Sequence, residues 1–266
     1  VSWPRSRSGS ASRNNPVVST CSDAMPWHDG PTLLDTLETI DVRDATPRAF
    51  RLPVQWVNRP NLDFRGFVGT VAGGEISVGD EIMVAASGKV SVVTKIFVAS
   101  DETTRAQDGD AVTLTLADEI DVARGDMLCR PDQKPAVGEQ FAAHVIWMGE
   151  EPMHLGRSYL LKIGPTLAPA AFVELRHRVN VATLEKLAAK SLGLNEVAQC
   201  KIAIGRPIAF DPYRNNRATG GFIVIDRETN ATVAAGVVDY HLRRSENVHF
   251  QRLAVSKEQR ADQKRQ

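Results

Sequence analysis

Apolar and polar positions alternate along residues 65–85, and glycine turns divide this run in two places. The alternation pauses at Gly73 and Gly74, and it pauses again at Gly79 before a second apolar run. A period of two punctuated by glycine predicts strands joined by tight hairpins. We expect one side of these strands to line a small closed barrel. The residues predicted to face inward are Val68, Val71, Ile76, Val78, Ile82 and Val84.

The same pattern continues on both sides of this run and predicts a first barrel over residues 46–133. Further strands are predicted at residues 50–57, 89–98 and 111–116, and a closing strand is predicted near 123–128. Residues 131–135 combine two prolines with charged side chains and have no apolar period. That composition indicates a joint between domains.

A second series of alternating runs predicts another antiparallel barrel over residues 137–240. Its predicted strand segments are 140–147, 158–163, 170–179, 197–204, 207–210, 221–225 and 232–238. Between them, Leu184, Leu187 and Leu192 recur at helical spacing, so we expect a helix or helical turn over 183–192 that ends at Gly193. The predicted fold is therefore all-β, with two antiparallel β-barrels, short helical segments and disordered ends.

The two ends of the chain lack the alternation of the barrels. Residues 1–22 are rich in Ser, Arg and Asn and show no sustained period, which predicts disorder. Within the linker 23–45, Pro31 stands at a plausible first helical position before Leu33, Leu34, Leu37 and Ile40, whose spacing predicts a short amphipathic helix. Residues 241–266 are polar and charged, which is typical of a solvated tail or linker.

Charge and cysteine content narrow the possible functions. The 266 residues carry 32 Lys plus Arg and 32 Asp plus Glu, so the chain has no basic excess of the kind that nucleic-acid binding uses, and we do not expect a nucleic-acid partner. Three widely separated cysteines predict neither disulfides nor a thiolate zinc site. No apolar run approaches the roughly 20 residues of a membrane span. We expect a soluble, cytoplasmic protein with no membrane partner.

The motifs of common active sites do not occur in the sequence. The six histidines show no HExxH or paired spacing, and the serines Ser158 and Ser191 have no nucleophile elbow around them. A phosphate-binding GxxxxGK[ST] loop is lacking, and the nearest segment, residues 87–91, has no leading glycine. We therefore assign no catalytic, cofactor-binding or metal-binding residue, and whether the chain has enzymatic activity is left open.

The order R-G-F-V-G-T-V-A-G-G-E-I-S-V-G-D-E-I at residues 65–82 closely resembles the second domain of translation-type GTPases such as elongation factor Tu. Within that superfamily, residues 23–260 resemble the GTPase subunit of bacterial sulfate adenylyltransferase, including the form fused to adenylylsulfate kinase. The matching segments are 30–38, 180–185, 192–196 and, longest, 206–227. The resemblance implies an elongation factor Tu domain 2-like barrel followed by a domain 3-like barrel.

The resemblance also implies what the chain does not contain. In this family the GTPase domain binds GTP and Mg²⁺, and an adenylylsulfate kinase domain follows in fused members; we expect neither domain here, and no cofactor in this chain. Residues 1–22 stand where the resembled family has the end of its GTPase domain. They are interpreted as out-of-frame or misassigned sequence, with a natural disordered leader as the alternative.

The best candidate for an interaction site is the segment 211–221, which places Tyr213, Arg214, Asn216 and Arg217 in a predicted loop between strands. The alternative is a well-capped turn with surface arginines. A second candidate is Arg65 in segment 63–67, where the resemblance implies a surface facing the GTPase domain and where Phe67 is expected in the core.

The resemblance implies a partner and a role. The partner would be the catalytic subunit of sulfate adenylyltransferase, as a heterodimer, in the conversion of ATP and sulfate to adenylylsulfate and diphosphate during sulfate assimilation. The barrels would dock that subunit and transmit the state of the GTPase by a rigid-body rearrangement. Two alternatives stay open at this point: a translation-factor-like module that binds tRNA, and an inactive fragment of a frameshifted gene.

Overall fold

The computed structural model describes residues 30–40, 48–61, 64–99 and 101–242. The predictions for residues 1–22 and for the tail beyond 242 lie outside these ranges. The chain divides into two units, Val1–Pro47 and Arg48–Gln266, and each is described by itself.

The first unit contains one helix, α1 (Leu33–Thr39), as the leucine spacing predicts. Thr32 caps it, because its Oγ1 accepts a hydrogen bond from the Asp35 backbone N–H at 3.1 Å and the Asp35 carboxylate accepts one from the Thr32 N–H at 3.2 Å. Pro31 therefore lies before the cap and not at the first helical position, which corrects the prediction. Among the described residues, no helix has the length and apolar character needed to cross a membrane.

The second unit begins with a barrel built from short strands. Their bounds are β1 Arg51–Asn58, β2 Gly66–Thr70, β3 Glu75–Ser77, β4 Glu81–Val84, β5 Val90–Val98, β6 Asp101–Thr103, β7 Arg105–Gln107, β8 Ala111–Leu116 and β9 Met127–Cys129. Six of them form an antiparallel ring in the order β4-β9-β1-β2-β8-β5, which the β4–β5 pairing closes. Strand β6 extends β5, and β3 pairs with β7.

The core of this first barrel follows most of the predicted pattern. Val71, Ile76, Ile82 and Val84 are buried, but Val78 is exposed and Val68 is half-buried. On β2 the buried side chain is that of Phe67, as expected, so its neighbour Val68 must point outward because successive strand residues face opposite sides. The predicted inward assignment was therefore wrong at Val68 and Val78.

The second barrel has longer strands and closes in the same way. The bounds are β10 Ala136–Trp147, β11 Ser158–Ile163, β12 Thr166–Val179, β13 Lys186–Leu187, β14 Val197–Phe210, β15 Gly221–Ile225 and β16 Thr232–His241, and a short helix α2 (Arg217–Gly220) lies between β14 and β15. The ring order is β11-β15-β16-β10-β14-β12, closed by the β11–β12 pairing. The predicted all-β fold with two antiparallel barrels is confirmed.

The helix predicted over residues 183–192 does not form. The Asn180 side chain accepts hydrogen bonds from the backbone N–H groups of Ala182 and Thr183, at 3.0 and 3.3 Å, and thereby fixes a turn. Lys186 and Leu187 then pair with the end of β12 as strand β13. The leucine spacing was misleading because the backbone at Leu184 is left-handed, with φ of +61°, and because the residues that follow pair with β12.

The two predicted segments 197–204 and 207–210 are a single strand, β14. The pairing of β10 with β14 shifts register between Gly138 and Gln140, so Pro207 lies at an irregularity of the ladder. A proline can remain within a strand at such a position because no ladder hydrogen bond is required of it there.

Long strands give the second barrel two distinct ends. Strands β12 and β14 are antiparallel and 14 residues long, so Thr166 and Phe210 lie at one end while Val179 and Val197 lie at the other. At about 3.3 Å per residue the strands are at most roughly 40 Å long, so the two ends are well separated. We call the end at Thr166 and Phe210 the joint end, and the other end, with the segment 180–196, the distal end.

Candidate interaction site at the joint between the barrels

A buried ion pair connects the two barrels. Arg51, on β1 of the first barrel, donates from Nε to Asp211 Oδ2 at 2.9 Å and from Nη2 to Oδ1 at 3.0 Å. Asp211 follows directly after β14 of the second barrel. The side chains are only 5% and 9% exposed. The pair is bidentate, which fixes the orientation of the two groups as well as their distance.

The remaining polar atoms around this pair are also hydrogen-bonded. Arg51 Nη1 donates to the carbonyl oxygens of Phe50, at 2.9 Å, and Gln133, at 2.6 Å. The Thr219 hydroxyl donates to Asp211 Oδ2 at 2.7 Å. Because removing two charges from water is costly, a buried pair persists only where further hydrogen bonds satisfy both groups. This cluster meets that condition.

Cys129 lies in the same buried region. Its Sγ is 3.6 Å from the Met83 carbonyl oxygen, and burial raises the pKa of the thiol to about 11 in spite of the opposing effect of the Arg51 charge. The thiolate is the nucleophilic form of cysteine. Cys129 is therefore an inert core residue near neutral pH.

Asn216 supplies a second connection between the barrels. Its Nδ2 donates to the Ala72 carbonyl oxygen of the first barrel, and its Oδ1 accepts from the N–H groups of Ala218 and Thr219 at the start of α2. The side chain is thus an N-cap and an interbarrel bridge at once. Asn216 is buried, so it supports the joint from inside and does not face solvent.

The other predicted residues of this segment lie on the surface beside the joint. Tyr213, Arg214 and Arg217 are exposed. The Tyr213 backbone N–H donates to the Val238 carbonyl oxygen at 2.9 Å, and a Cβ added at Gly220 would lie 2.5 Å from the Tyr213 Cα. A residue larger than glycine cannot be placed at 220 without moving the backbone of this loop. The exposed aromatic and arginine side chains are therefore displayed from a closely packed base.

A third connection lies at the start of β12. The Thr166 hydroxyl donates to the Gly125 carbonyl oxygen of the first barrel at 2.7 Å. Gly125 has φ of +97° and therefore needs the freedom of glycine. Together with the Arg51–Asp211 pair and the Asn216 bridge, this bond joins the barrels at three points.

Arg65 lies elsewhere, at the opposite end of the first barrel. Gly66 pairs with Asn58, whereas the Ala72 N–H bonds to the Arg51 carbonyl oxygen, so the ends of β1 are roughly 20 Å apart. The Arg65 guanidinium lies 5.4 Å from the centre of the Phe67 ring and 3.5 Å from the Val122 carbonyl oxygen. It borders a groove lined by Phe64, Thr94, Lys95, Phe97, Thr115 and Asp118.

Sequence reasoning did not identify Arg51 and Asp211 as a pair. Arg51 stands between the buried Phe50 and Leu52. Because successive strand residues face opposite sides, Arg51 is predicted on the outer face of the first barrel, where an arginine is common. This outer face is covered by the second barrel, whose Asp211 lies 160 positions further along the chain. Within the described residues, no cluster of three or more His, Cys, Asp or Glu could hold a metal ion.

The fold of the two barrels is shared with known proteins. The family model described as GTP-eEF1A C-terminal domain-like matches residues 140–239, which correspond to the second barrel. The crystal structure of sup35 complexed with GDP has a TM-score of 0.70 at 20% identity and covers 85% of this chain and 56% of that one. At that identity the likeness shows the shared fold.

Much closer relatives are known from sequence. The bifunctional enzyme NodQ of Rhizobium sp. (strain N33) is 49% identical over 94% of this chain and 39% of that protein. Sulfate adenylyltransferase subunit 1 of Shewanella woodyi is 48% identical over 86% of this chain and 49% of that protein. The chain therefore spans two fifths to half the length of these relatives. Over this shared part, the chain is a homologue of NodQ and of sulfate adenylyltransferase subunit 1 and has the double-barrel fold of elongation factor Tu-like proteins.

Proposed function

We propose that the two barrels form a docking platform for the catalytic subunit of a sulfate adenylyltransferase, and that they transmit to it the nucleotide state of a GTPase domain. The homology to sulfate adenylyltransferase subunit 1 supports both the enzyme class and the existence of a partner, because the name describes one subunit of a larger assembly. In the whole protein a GTPase domain would bind GTP and Mg²⁺, and the residues of the two barrels would take no part in that binding.

The observation that carries the proposal is the buried joint. A relay between domains requires an element that moves as one body, since a flexible connection would absorb the displacement. The Arg51–Asp211 pair, with both side chains almost fully buried, and the Asn216 bridge to Ala72 hold the two barrels in one arrangement. A shift imposed on the first barrel is then passed to the second barrel.

The exposed residues beside the joint are the proposed contacts. Tyr213 and Arg214 lie on a loop and Arg217 begins α2, and the base of both is fixed by the joint, so presenting these side chains costs little conformational entropy on binding. Tyrosine and arginine are also the residue types that most often dominate interface energetics. Arg65 is the second proposed contact and would face the GTPase domain.

The test is titration calorimetry of the 266-residue chain against the purified catalytic subunit from the same organism, without GTP. Saturable binding of the wild-type chain is expected. Arg217→Glu should weaken it about tenfold, the effect of roughly 1.4 kcal/mol. Lys89→Glu is the matched control, because Lys89 has the same charge and lies in the exposed turn between β4 and β5.

Two results would contradict the proposal. One is a folded wild-type chain that does not bind the catalytic subunit. The other is binding to tRNA whose affinity falls steeply with salt, since that dependence is the signature of phosphate contacts. The balanced charge of the chain argues against the second result.

A further inference from the structure

The distal end of the second barrel exposes large apolar side chains on a loop. Val181 is 70% exposed and Leu184 is 75% exposed. Both belong to the segment 180–196, which we call the distal tip. Isolated apolar side chains on a surface are ordinary and do not by themselves indicate a binding site. What sets these two apart is their backbone conformation and the residues around them.

Hydrogen bonds and packing hold the distal tip in one conformation. The Asn180 N–H donates to the Glu185 carbonyl oxygen at 2.9 Å, and the Leu184 N–H donates to the Asn180 carbonyl oxygen at 2.7 Å. Further along, Leu192 is fully buried in the core of the second barrel, which anchors the returning chain. Val181 and Leu184 are therefore presented to solvent by an ordered turn.

The backbone at Leu184 makes this presentation costly. Its φ is +61°, in the left-handed region, where a residue with a Cβ loses about 1–2 kcal/mol relative to the right-handed region. Asparagine or glycine is the usual residue at such a position, and the same barrel uses asparagine at 195 and 230, where φ is +62° and +57°. A leucine that is both strained and exposed suggests a use for its side chain outside the fold.

The tip is continuous with an apolar row on the barrel wall. Ile146 pairs with Val197, and Val197 pairs with Val179, across three neighbouring strands. Residues opposite each other in a sheet share a face, so these three form one row. Ile146 is exposed and the other two are half-buried, which places the row on the outside of the barrel. Val179 is the last residue of β12, so the row ends directly before the distal tip.

The exposed charged residues at the rim of the distal tip are mainly lysines. Lys186 and Lys190 are exposed. Of the two acidic side chains, Glu196 is paired with Arg178 and also accepts from the Gly193 N–H, whereas Glu185 is exposed and accepts only from the Thr183 hydroxyl at 3.1 Å. Two lysines against the single unpaired carboxylate of Glu185 leave the rim with a net positive charge. A surface with an apolar centre and available lysines at its rim complements an apolar pocket with an acidic rim.

We propose that the distal tip inserts Val181 and Leu184 into an apolar, acid-rimmed pocket of the catalytic subunit, as a second contact separate from the joint. This inference rests on the proposed function and names a surface for it. The alternative occupant is a second copy of this chain. A two-fold contact between two tips would place two surfaces of net positive charge against each other, which disfavours that arrangement.

The experiment compares variants of the 266-residue chain in calorimetric titrations with the purified catalytic subunit. Leu184→Asn removes the apolar group and suits the left-handed backbone, so the variant should fold at least as well as wild type while binding roughly tenfold or more weakly. Val181→Asp should weaken binding by a similar factor. Val173→Asn is the control, because Val173 is 49% exposed on the same barrel but lies in the middle of β12, away from both ends.

The outcomes separate this inference from the function on which it rests. Wild-type binding that Leu184→Asn weakens, with an unchanged or higher Tm, supports the inference. Wild-type binding that neither Leu184→Asn nor Val181→Asp alters overturns it and leaves the docking function standing. No wild-type binding overturns both. Dimerisation of the wild-type chain that Leu184→Asn abolishes, seen by sedimentation, would assign the tip to a second copy and overturn the inference.

Discussion

The two ends of the second barrel have opposite physical characters. At the joint end, charged and polar groups are buried and each finds a partner, as the Arg51–Asp211 pair shows. At the distal end, apolar groups such as Leu184 are exposed on a backbone that favours other residues. The joint end has the properties of a permanent interior contact, whereas the distal end has those of a surface available to another molecule. Changes at the joint end should therefore affect stability most, and changes at the distal end should affect it least.

The largest effect is expected from Asp211→Ala. This change leaves the Arg51 guanidinium buried without its carboxylate, and breaking one partner of a buried pair costs about 3–5 kcal/mol. The free energy of unfolding from urea titrations should fall by that amount, and small-angle scattering should show the two barrels less rigidly joined.

The control for Asp211→Ala is the double variant Arg51→Met with Asp211→Leu. Replacing both charges by apolar groups removes the uncompensated charge, so the double variant should be clearly more stable than the single one. A loss below about 1 kcal/mol for Asp211→Ala would mean that water reaches the joint and that the pair does not hold the barrels together.

The next effect in size is expected from Asn216→Ala. The variant loses the N-cap of α2, worth about 1 kcal/mol, and it also leaves the carbonyl oxygen of the half-buried Ala72 without its donor. A destabilisation of about 2 kcal/mol is expected in urea unfolding. Asn215→Ala is the matched control, because Asn215 is the adjacent asparagine and is exposed. Equal losses for the two variants would refute the bridging role of Asn216.

The same contrast explains which features of the fold could be predicted from the sequence. Alternation located most strands, and β8, β11 and β15 begin and end at the predicted residues, because a half-buried strand must alternate. Closure of two barrels came from the resemblance, since periodicity alone does not distinguish a barrel from another antiparallel sheet. Arg51 was missed because its covering surface is a second barrel that no local pattern reveals.

At the distal end the sequence misled for a local reason. Leu184, Leu187 and Leu192 have helical spacing, but the left-handed backbone at Leu184 ends the turn that begins at Asn180, and Leu187 pairs with β12. The spacing would place these leucines on one face only if the segment were helical. Of the three, only Leu192 is in the core.

A pH dependence is expected at the distal tip. The Gly193 N–H, followed by Arg178, holds the pKa of Glu196 below its ordinary value of 4.5. Because the folded pKa is the lower one, the ionised Glu196 stabilises the fold above pH 4.5, and this contribution is lost as the pH falls from there through the folded pKa. Glu196→Gln should therefore be less stable than wild type at pH 7, and the difference should shrink below pH 4.5 in urea titrations. A constant difference across this range would contradict the assignment.

The smallest effect, and the one opposite in sign, is expected from Leu184→Asn. The left-handed backbone at 184 is easier for asparagine than for leucine, and the exposed leucine side chain contributes little burial, so the variant should gain a few tenths of a kcal/mol and at most about 1. Leu194→Asn is the matched control. Leu194 is 51% exposed and is not among the residues with positive φ, so the same replacement brings no backbone relief and should leave stability unchanged or slightly lower. Differential scanning calorimetry of both variants would show the difference in Tm. If Leu184→Asn instead lost 1 kcal/mol or more relative to Leu194→Asn, the leucine would be a packing residue of the fold, and the distal end would resemble the joint end more than its exposure suggests.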